Sequence, residues 1–422
     1  MTGDSRPIPV LTGPLDLVVR PPGSKSETIR ALAAAALADG RSHLYAPLEA
    51  DDTIAMATAL QALGAHIERD GEPWTVDGGR DRLHPTATDL DANESGLSAR
   101  ILLAIAGSLD GVSRIAGRGR LPERPMGGIV EVLRAQGVEV IGDRLPIEVH
   151  GRGPLWGGRI EVDCTESSQF ASAIMLVAPL MHEPATIELK GLSGSAGYLD
   201  MTASIMRRFG ATVTATTTGY EIDNDGYRAA DVMIEPDASA AVYPVCLAAV
   251  TGGRVVVEGL GEGSPQPDVR VAAVLEKMGC RVDLEPSRVV VDATDTRLQG
   301  VDVDMSAAPD GALAVAVACL FADGPSRIGG LGSLRHKESD RLAAISTEMS
   351  RLGADVEVVG DALVVRPGRL HGAEIDPHGD HRIAMSMAIA GTVVEGVTIR
   401  DPQVVNKTWP GFWDFLESVA AG

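Results

Sequence analysis

Hydrophobic and polar positions along this chain recur in one order: the end of an amphipathic helix, a glycine, a short alternating strand, a turn, and a second strand. Five segments follow it, at residues 60–78, 132–151, 205–223, 274–293 and 348–368. The first reads LQALGAHIERDGEPWTVDG and the last EMSRLGADVEVVGDALVVRPG. The marker glycines are Gly64, Gly137, Gly210, Gly279 and Gly353, spaced by 73, 73, 69 and 74 residues. Each suits the position just past a helix end, where the chain turns left-handed and a Cβ would clash. The period predicts six units of about 70 residues. The sixth would carry a helix at 412–421, with its strands supplied by the N-terminus or degenerate.

A second set of helices is patterned differently. Residues 26–38, 168–179, 238–250, 311–321 and 382–390 are alanine-rich or apolar all round, as helices enclosed on every side are. Mixed sheets packed over buried helices follow from this. A dinucleotide fold does not, because no GxGxxG follows a strand and opens a helix.

Length and composition change the picture in four ways. A length of 422 residues suits two large domains, and 45% apolar with only 3% aromatic content requires an interior of small aliphatic side chains. A net charge of −21 argues against nucleic acid and anionic membranes as partners, and makes any local cluster of cations informative. Residues 1–9 lack the features of a leader and no apolar run reaches membrane length, so a cytoplasmic location is expected. The four cysteines show no CxxC spacing, and three lie in apolar stretches that suit buried thiols.

Candidate chemistry gathers where the apolar helices begin. Lys25, Ser26 and Arg30 open the first and Arg100 lies near the start of the second. Ser167, Ser168 and Gln169 open the third, and later ones start at Asp237, Asp310 and Asp380-His381-Arg382. Ser and Asp at such positions are ordinarily caps. Capping does not call for Lys25, Arg30, Arg100 or Arg382, whose charge opposes the helix dipole, and a bound anion accounts for them better. Arg124, Arg335, Lys337, Arg341 and Lys407 lie in loops. Each alone reads as a solvated surface charge; together they describe a site for a polyanion. PPGSKS lacks the glycines of a nucleotide P-loop. His378 and His381 are too few for a metal site, so no metal and no cofactor are expected.

These residues lead to a family. PPGSKSETIRAL, ERPMGGIVEVLRAQG, SSQFASAIMLVAPL, YLDMT, EPDASAAVY, PDGALAVAVACLFA, RHKESDRLAA, GDHRIAMSMA and DPQVVNKTWPGFW resemble, in order, successive blocks of the 5-enolpyruvylshikimate-3-phosphate synthases. The resemblance implies an α/β (α+β) fold: a two-domain inside-out barrel of six βαβαββ repeats, three per domain, with parallel helices buried under mixed sheets. It implies a discontinuous domain, 1–21 plus 235–422, a second domain, 22–234, and an active site in the cleft between them.

It also implies roles. Shikimate 3-phosphate would contact Lys25, Ser26, Arg30, Ser167, Ser168, Gln169, Ser195, Tyr198, Asp310 and Lys337. Phosphoenolpyruvate would contact Lys25, Gly96, Arg124, Gln169, Arg341, Arg382 and Lys407. Asp310 would take the proton from the sugar 5-hydroxyl, and Glu338 with Lys25 would protonate the methylene carbon. The expected partners are these small anions alone, acting on a monomer.

The sequence departs from the family pattern at Glu94-Ser95-Gly96-Leu97, at Ala196-Gly197 after Ser195, and at Ser333-Leu334. These bear on the shape of the phosphoenolpyruvate pocket. Other readings are a paralogous enolpyruvyl transferase with a different acceptor, or a non-catalytic sensor of anionic metabolites. The sister enzyme acting on a UDP-amino sugar usually has a loop cysteine, which is absent from residues 118–128 here.

Overall fold

The computed structural model describes residues 4–191 and 196–421. The chain forms two compact units: one is the continuous segment Gly23–Glu235, the other joins the segment ending at Pro22 to the one starting at Pro236.

Among the described residues of the continuous unit, three four-stranded sheets share one topology. The first runs Asp231–Met233, Gly40–Tyr45, Trp74–Gly78, His66–Glu68, with the first pair parallel and the others antiparallel. The second runs Leu90–Asp91, Asp110–Ala116, Ile147–Arg152, Glu139–Ile141. The third runs Gly158–Asp163, Ala185–Lys190, Gly219–Ile222, Val213–Ala215. A strand from the end of the unit thus completes the sheet at its start.

The discontinuous unit repeats the plan. One sheet runs Asp16–Val19, Arg254–Glu258, Arg288–Asp292, Arg281–Leu284, and another Asp302–Asp304, Ser326–Gly329, Ala362–Arg366, Asp355–Val359. The last has three strands, Glu374–Ile375, Thr398–Arg400 and Ser5–Pro7. The N-terminal segment therefore supplies a strand to the sixth repeat, which the period alone left open.

The marker glycines explain how each hairpin starts. All five have positive φ, from +84° at Gly210 to +113° at Gly64. Each follows a helix whose last carbonyls accept two closing bonds, such as Gly64 N to Gln61 O at 3.0 Å and Ala65 N to Leu60 O at 3.1 Å. Glycine adopts this turn without the Cβ penalty, so the helix stops there and the chain leaves as a strand.

Among the described residues six helices lie inside: Lys25–Leu37, Gly96–Gly107 and Gln169–Val177 in the continuous unit, and Ala238–Thr251, Ala312–Cys319 and His381–Gly391 in the other. Every residue from Ala31 to Ala36 has no exposed surface. Small side chains allow close helix approach, and the surrounding Leu, Ile and Val contribute roughly 1.5–3 kcal/mol each on full burial. Each unit has its own apolar core. All four cysteines are buried and free. Among the described residues no helix is long and apolar enough to cross a membrane. The expected α/β architecture of repeated units with mixed sheets is the one observed.

Candidate active site

The N-terminal ends of the buried helices carry the sequence-predicted residues in two clusters, one per unit. In the continuous unit, Lys25 starts the first helix after Ser24, whose hydroxyl accepts from Glu27 N at 3.3 Å. Lys25 Nζ lies 3.1 Å from Asp52 Oδ2, and Asp52 is buried. One turn on, Arg30 is 1% exposed. Its Nε donates to Thr202 Oγ1 at 2.7 Å, its Nη1 to the Ser26 carbonyl at 2.9 Å, and its Nη2 to Ser172 Oγ at 3.2 Å and the Tyr198 carbonyl at 3.4 Å. Burial lowers the Arg30 guanidinium to about 10.

Ser172 sits on the third helix, which joins this network to Gln169 at its start. Gln169 Oε1 accepts from Arg100 Nη1 at 2.5 Å, and Arg100 Nη2 donates to the Pro125 carbonyl at 2.7 Å. The Arg100 guanidinium also lies 5.0 Å from the Phe170 ring centroid. Arg124 is buried against Gly96 so closely that a Cβ there would fall 2.7 Å from Arg124 Cζ and 2.7 Å from Arg100 Nη1. Gly96 is glycine because two guanidiniums pack onto its backbone. Ser167 Oγ accepts from Gln169 N at 3.3 Å, and Ser168 is buried at the helix start without a side-chain capping bond. Ser195 lies outside the described residues.

The second cluster is built on carboxylates. Arg341, 1% exposed, opens the helix Arg341–Arg351. Its Nε lies 2.7 Å from Asp380 Oδ2, its Nη1 2.9 Å from Asp310 Oδ1, and its Nη2 2.8 Å from Glu338 Oε2. Arg382 Nη2 donates to Asp310 Oδ2 at 3.1 Å, and Lys337 Nζ lies 3.5 Å from Asp310 Oδ1. Asp380 also caps the helix His381–Gly391, accepting from Arg382 N at 2.9 Å and from Ser339 Oγ at 3.1 Å. Lys407 is buried at the end of the turn Pro402–Lys407.

The electrostatics follow from these contacts. Burial would raise the Asp310 carboxyl, but Arg382, Lys337 and Arg341 outweigh it and hold the group far below the ordinary carboxylate range, with Glu338 opposing them. Burial would lower the Arg341 guanidinium, yet Asp380, Glu338 and Asp310 keep it above its ordinary value. Asp268 is 3% exposed and accepts from Gly311 N at 3.2 Å and from the Ser239 hydroxyl. Burial and the Asp310 charge push it up to about 6.

Two features add to the sequence reading. Cations at helix starts were read there as better explained by a bound anion; within the protein Arg30 also finds hydroxyl and carbonyl acceptors, and Lys25 and Arg382 find carboxylates. Arg341, read as a loop residue, instead opens a helix and is buried among carboxylates. The acceptors Asp52, Ser172, Thr202 and Asp268 were not singled out, because each lies far along the chain from its partner. Asp380 did show a signal, an Asp directly before an apolar helix, but its role as the counter-ion of Arg341 was missed. Among the described residues no three His, Cys, Asp or Glu side chains form a group suited to a metal.

Comparison with known proteins identifies the family. The chain is 40% identical over 412 residues to the 3-phosphoshikimate 1-carboxyvinyltransferase of Methanosphaerula palustris, covering 96% of this chain and 97% of that one. It is also 40% identical, over 416 residues, to the protein of that name from Methanoculleus marisnigri, covering 96% and 97%. The fold matches EPSP synthase from Acinetobacter baumannii with a TM-score of 0.83, at 24% identity and 98% coverage of both chains. The family model for EPSP synthase (3-phosphoshikimate 1-carboxyvinyltransferase) matches residues 11–416, and the chain belongs to that family.

Proposed function

We propose that this chain transfers the enolpyruvyl group of phosphoenolpyruvate to the 5-hydroxyl of shikimate 3-phosphate, on the route to chorismate. Family membership supports the reaction, and the observation that carries the residue roles is the Asp310–Arg341–Arg382–Glu338 cluster. It links a base, an acid and two guanidiniums in one chain of hydrogen bonds, Glu338 to Arg341 to Asp310 to Arg382.

In this reading Asp310 accepts the 5-hydroxyl proton as the oxygen attacks C2 of phosphoenolpyruvate. The C2–C3 π electrons take a proton at C3 from Glu338, with Lys25 assisting. The tetrahedral adduct then loses a proton from C3 as the C2–O bond to phosphate breaks, restoring the double bond and releasing inorganic phosphate. Arg341, Arg382, Arg124, Gly96, Gln169 and Lys407 hold phosphoenolpyruvate. Lys25, Ser26, Arg30, Ser167, Ser168, Gln169, Ser195, Tyr198 and Lys337 hold shikimate 3-phosphate. Positioning the two reactants accounts for roughly 7–11 kcal/mol of barrier lowering when alignment is good.

The test is phosphate release from the two substrates without added metal, wild type beside Asp310→Asn. Turnover by the wild type, lowered roughly 10²–10⁴-fold in the variant, is expected. Binding of both substrates without release would favour a sensor or a different acceptor.

A further inference from the structure

Both oxygens of the proposed base are engaged by cations. Asp310 Oδ1 lies 2.9 Å from Arg341 Nη1 and 3.5 Å from Lys337 Nζ, and Oδ2 lies 3.1 Å from Arg382 Nη2. Arg341 and Arg382 are also the guanidiniums assigned to phosphoenolpyruvate. A carboxylate held in this way is a weak base, because its charged form is the one its partners stabilise. It also fills N–H positions that a substrate carboxylate would need.

We infer that Asp310 is a resident counter-ion which the carboxylate of phosphoenolpyruvate displaces, so that arrival of this substrate turns Asp310 from a partner of Arg341 and Arg382 into an available base. The inference rests on the roles given above to Asp310, Arg341 and Arg382. The exchange replaces one carboxylate by another at a forked donor, so neither guanidinium is left buried without an anion, the costly outcome for a buried pair. Arg341 keeps Asp380 and Glu338 throughout. Arg382 exchanges Asp310 for the substrate.

The surroundings favour the change in basicity. The charged groups facing Asp310 are Lys337, Glu338 and Arg341 from one segment, Arg382 from the start of the helix His381–Gly391, and Asp268 from the turn Pro267–Arg270; Asp380 reaches it through Arg341. Once Arg341 and Arg382 are shared with a substrate anion, repulsion from Glu338 and Asp268 weighs more heavily on Asp310 and its carboxyl rises toward the ordinary range. Asp268 also accepts the N–H of Gly311, the residue after Asp310, which fixes the peptide while the side chain changes partner.

Binding linkage gives a test whose sign separates two roles. A competitor for the arginines weakens phosphoenolpyruvate binding, whereas a scaffold that merely holds them in place strengthens it. Phosphoenolpyruvate alone is titrated calorimetrically into wild type and Asp310→Asn, with circular dichroism melts to establish folding. The expected result is binding about tenfold tighter in the variant, a coupling of ordinary size. Equal or weaker binding by a folded variant overturns the inference.

Should the variant not fold, the wild-type Asp310 carboxyl carbon is followed by NMR with and without phosphoenolpyruvate. An upward movement of its titration supports the exchange, and none overturns it. Phosphate release by the wild type is measured on the same preparation. Release together with weaker binding by the variant removes the inference and leaves the function. A wild type that neither binds phosphoenolpyruvate nor releases phosphate removes both.

Discussion

The two units begin their buried helices differently. In the continuous unit the residues before the three helices are Ser24, Ser95 and Ser168. In the discontinuous unit Asp237 and Asp380 cap two helices, and Asp310 directly precedes the Gly311 that starts the third. Ser24 and Ser95 each satisfy an N–H, Ser168 makes no such bond, and none of the three adds charge, so the positive end of each dipole is not cancelled there. An aspartate cap cancels that end, and Arg341 and Arg382 then balance the carboxylates. One device, the helix N-terminus, thus gathers cations beside neutral serines in one unit and balanced carboxylate–guanidinium pairs in the other, which the proposed function reads as an anion receptor and a proton-transfer cluster.

The continuous unit does carry one acid in a first turn of these helices, Glu27. It is 1% exposed, and burial, opposed by the N–H of Glu235, raises it to about 7. The fold therefore drives even this carboxyl toward its neutral form.

The comparison is broken most severely by removing a charge from the balanced cluster. Asp380→Asn leaves Arg341 short of a buried counter-ion and is expected to cost about 3 kcal/mol, read as a lower urea midpoint. Ser24→Ala in the other unit should cost only about 1 kcal/mol. Equal losses would show that the two kinds of cap are energetically alike.

Glu27 gives a pH signature of similar size. Its folded value lies above its unfolded value, so between about pH 4.5 and 7 the folded chain holds a proton that the unfolded chain has released. Stability contributed by this group is present at low pH and is lost as pH rises through about 7, by up to about 3 kcal/mol. Urea unfolding of Glu27→Gln should lack this dependence; an unchanged pH profile would assign it to another group.

Smaller effects sharpen the contrast. Ser168→Asp converts a neutral start into a charged one and should weaken shikimate 3-phosphate binding about tenfold, given the few kcal/mol between close charges at partial burial. Tighter binding would contradict the receptor reading. Gly96→Ala places a methyl 2.7 Å from Arg124 Cζ. The KM for phosphoenolpyruvate should rise about tenfold as the guanidinium moves, on the scale of an overpacked site.

The smallest change should not distinguish the units at all. Gly137→Ala and Gly279→Ala each force a Cβ into positive φ, with no neighbour closer than 3.5 Å. Each should cost about 1 kcal/mol in thermal unfolding.

Much of this architecture was legible in the sequence. The five glycines and the alternation after them located five helix ends and five hairpins, because both signals are local. Helices such as Ala312–Cys319 could be recognised as buried from composition alone. The partner network was not legible. Arg30 meets Thr202 across 172 residues and Arg382 meets Asp310 across 72, and although the second separation is about one repeat, a repeat period does not say which side chains pair. A hydroxyl such as Thr202 carries no local mark of its partner, whereas Lys25 and Arg341 were conspicuous as cations on an acidic chain.

The way the continuous unit returns to its starting point has a consequence for cooperativity. Ser24 N donates to the Glu235 carbonyl at 2.8 Å, and Asp237 N to the Pro22 carbonyl at 2.7 Å, so each unit closes where the chain leaves it. Residues 23–235 are in effect an insertion whose folding ties off a long loop in its host. Melting the insertion alone would leave the host to close that loop unaided, an entropic burden of about 5 kcal/mol on the logarithmic scaling of loop length. The dependence runs one way: the host relies on a folded insertion, while the insertion encloses no segment of the host.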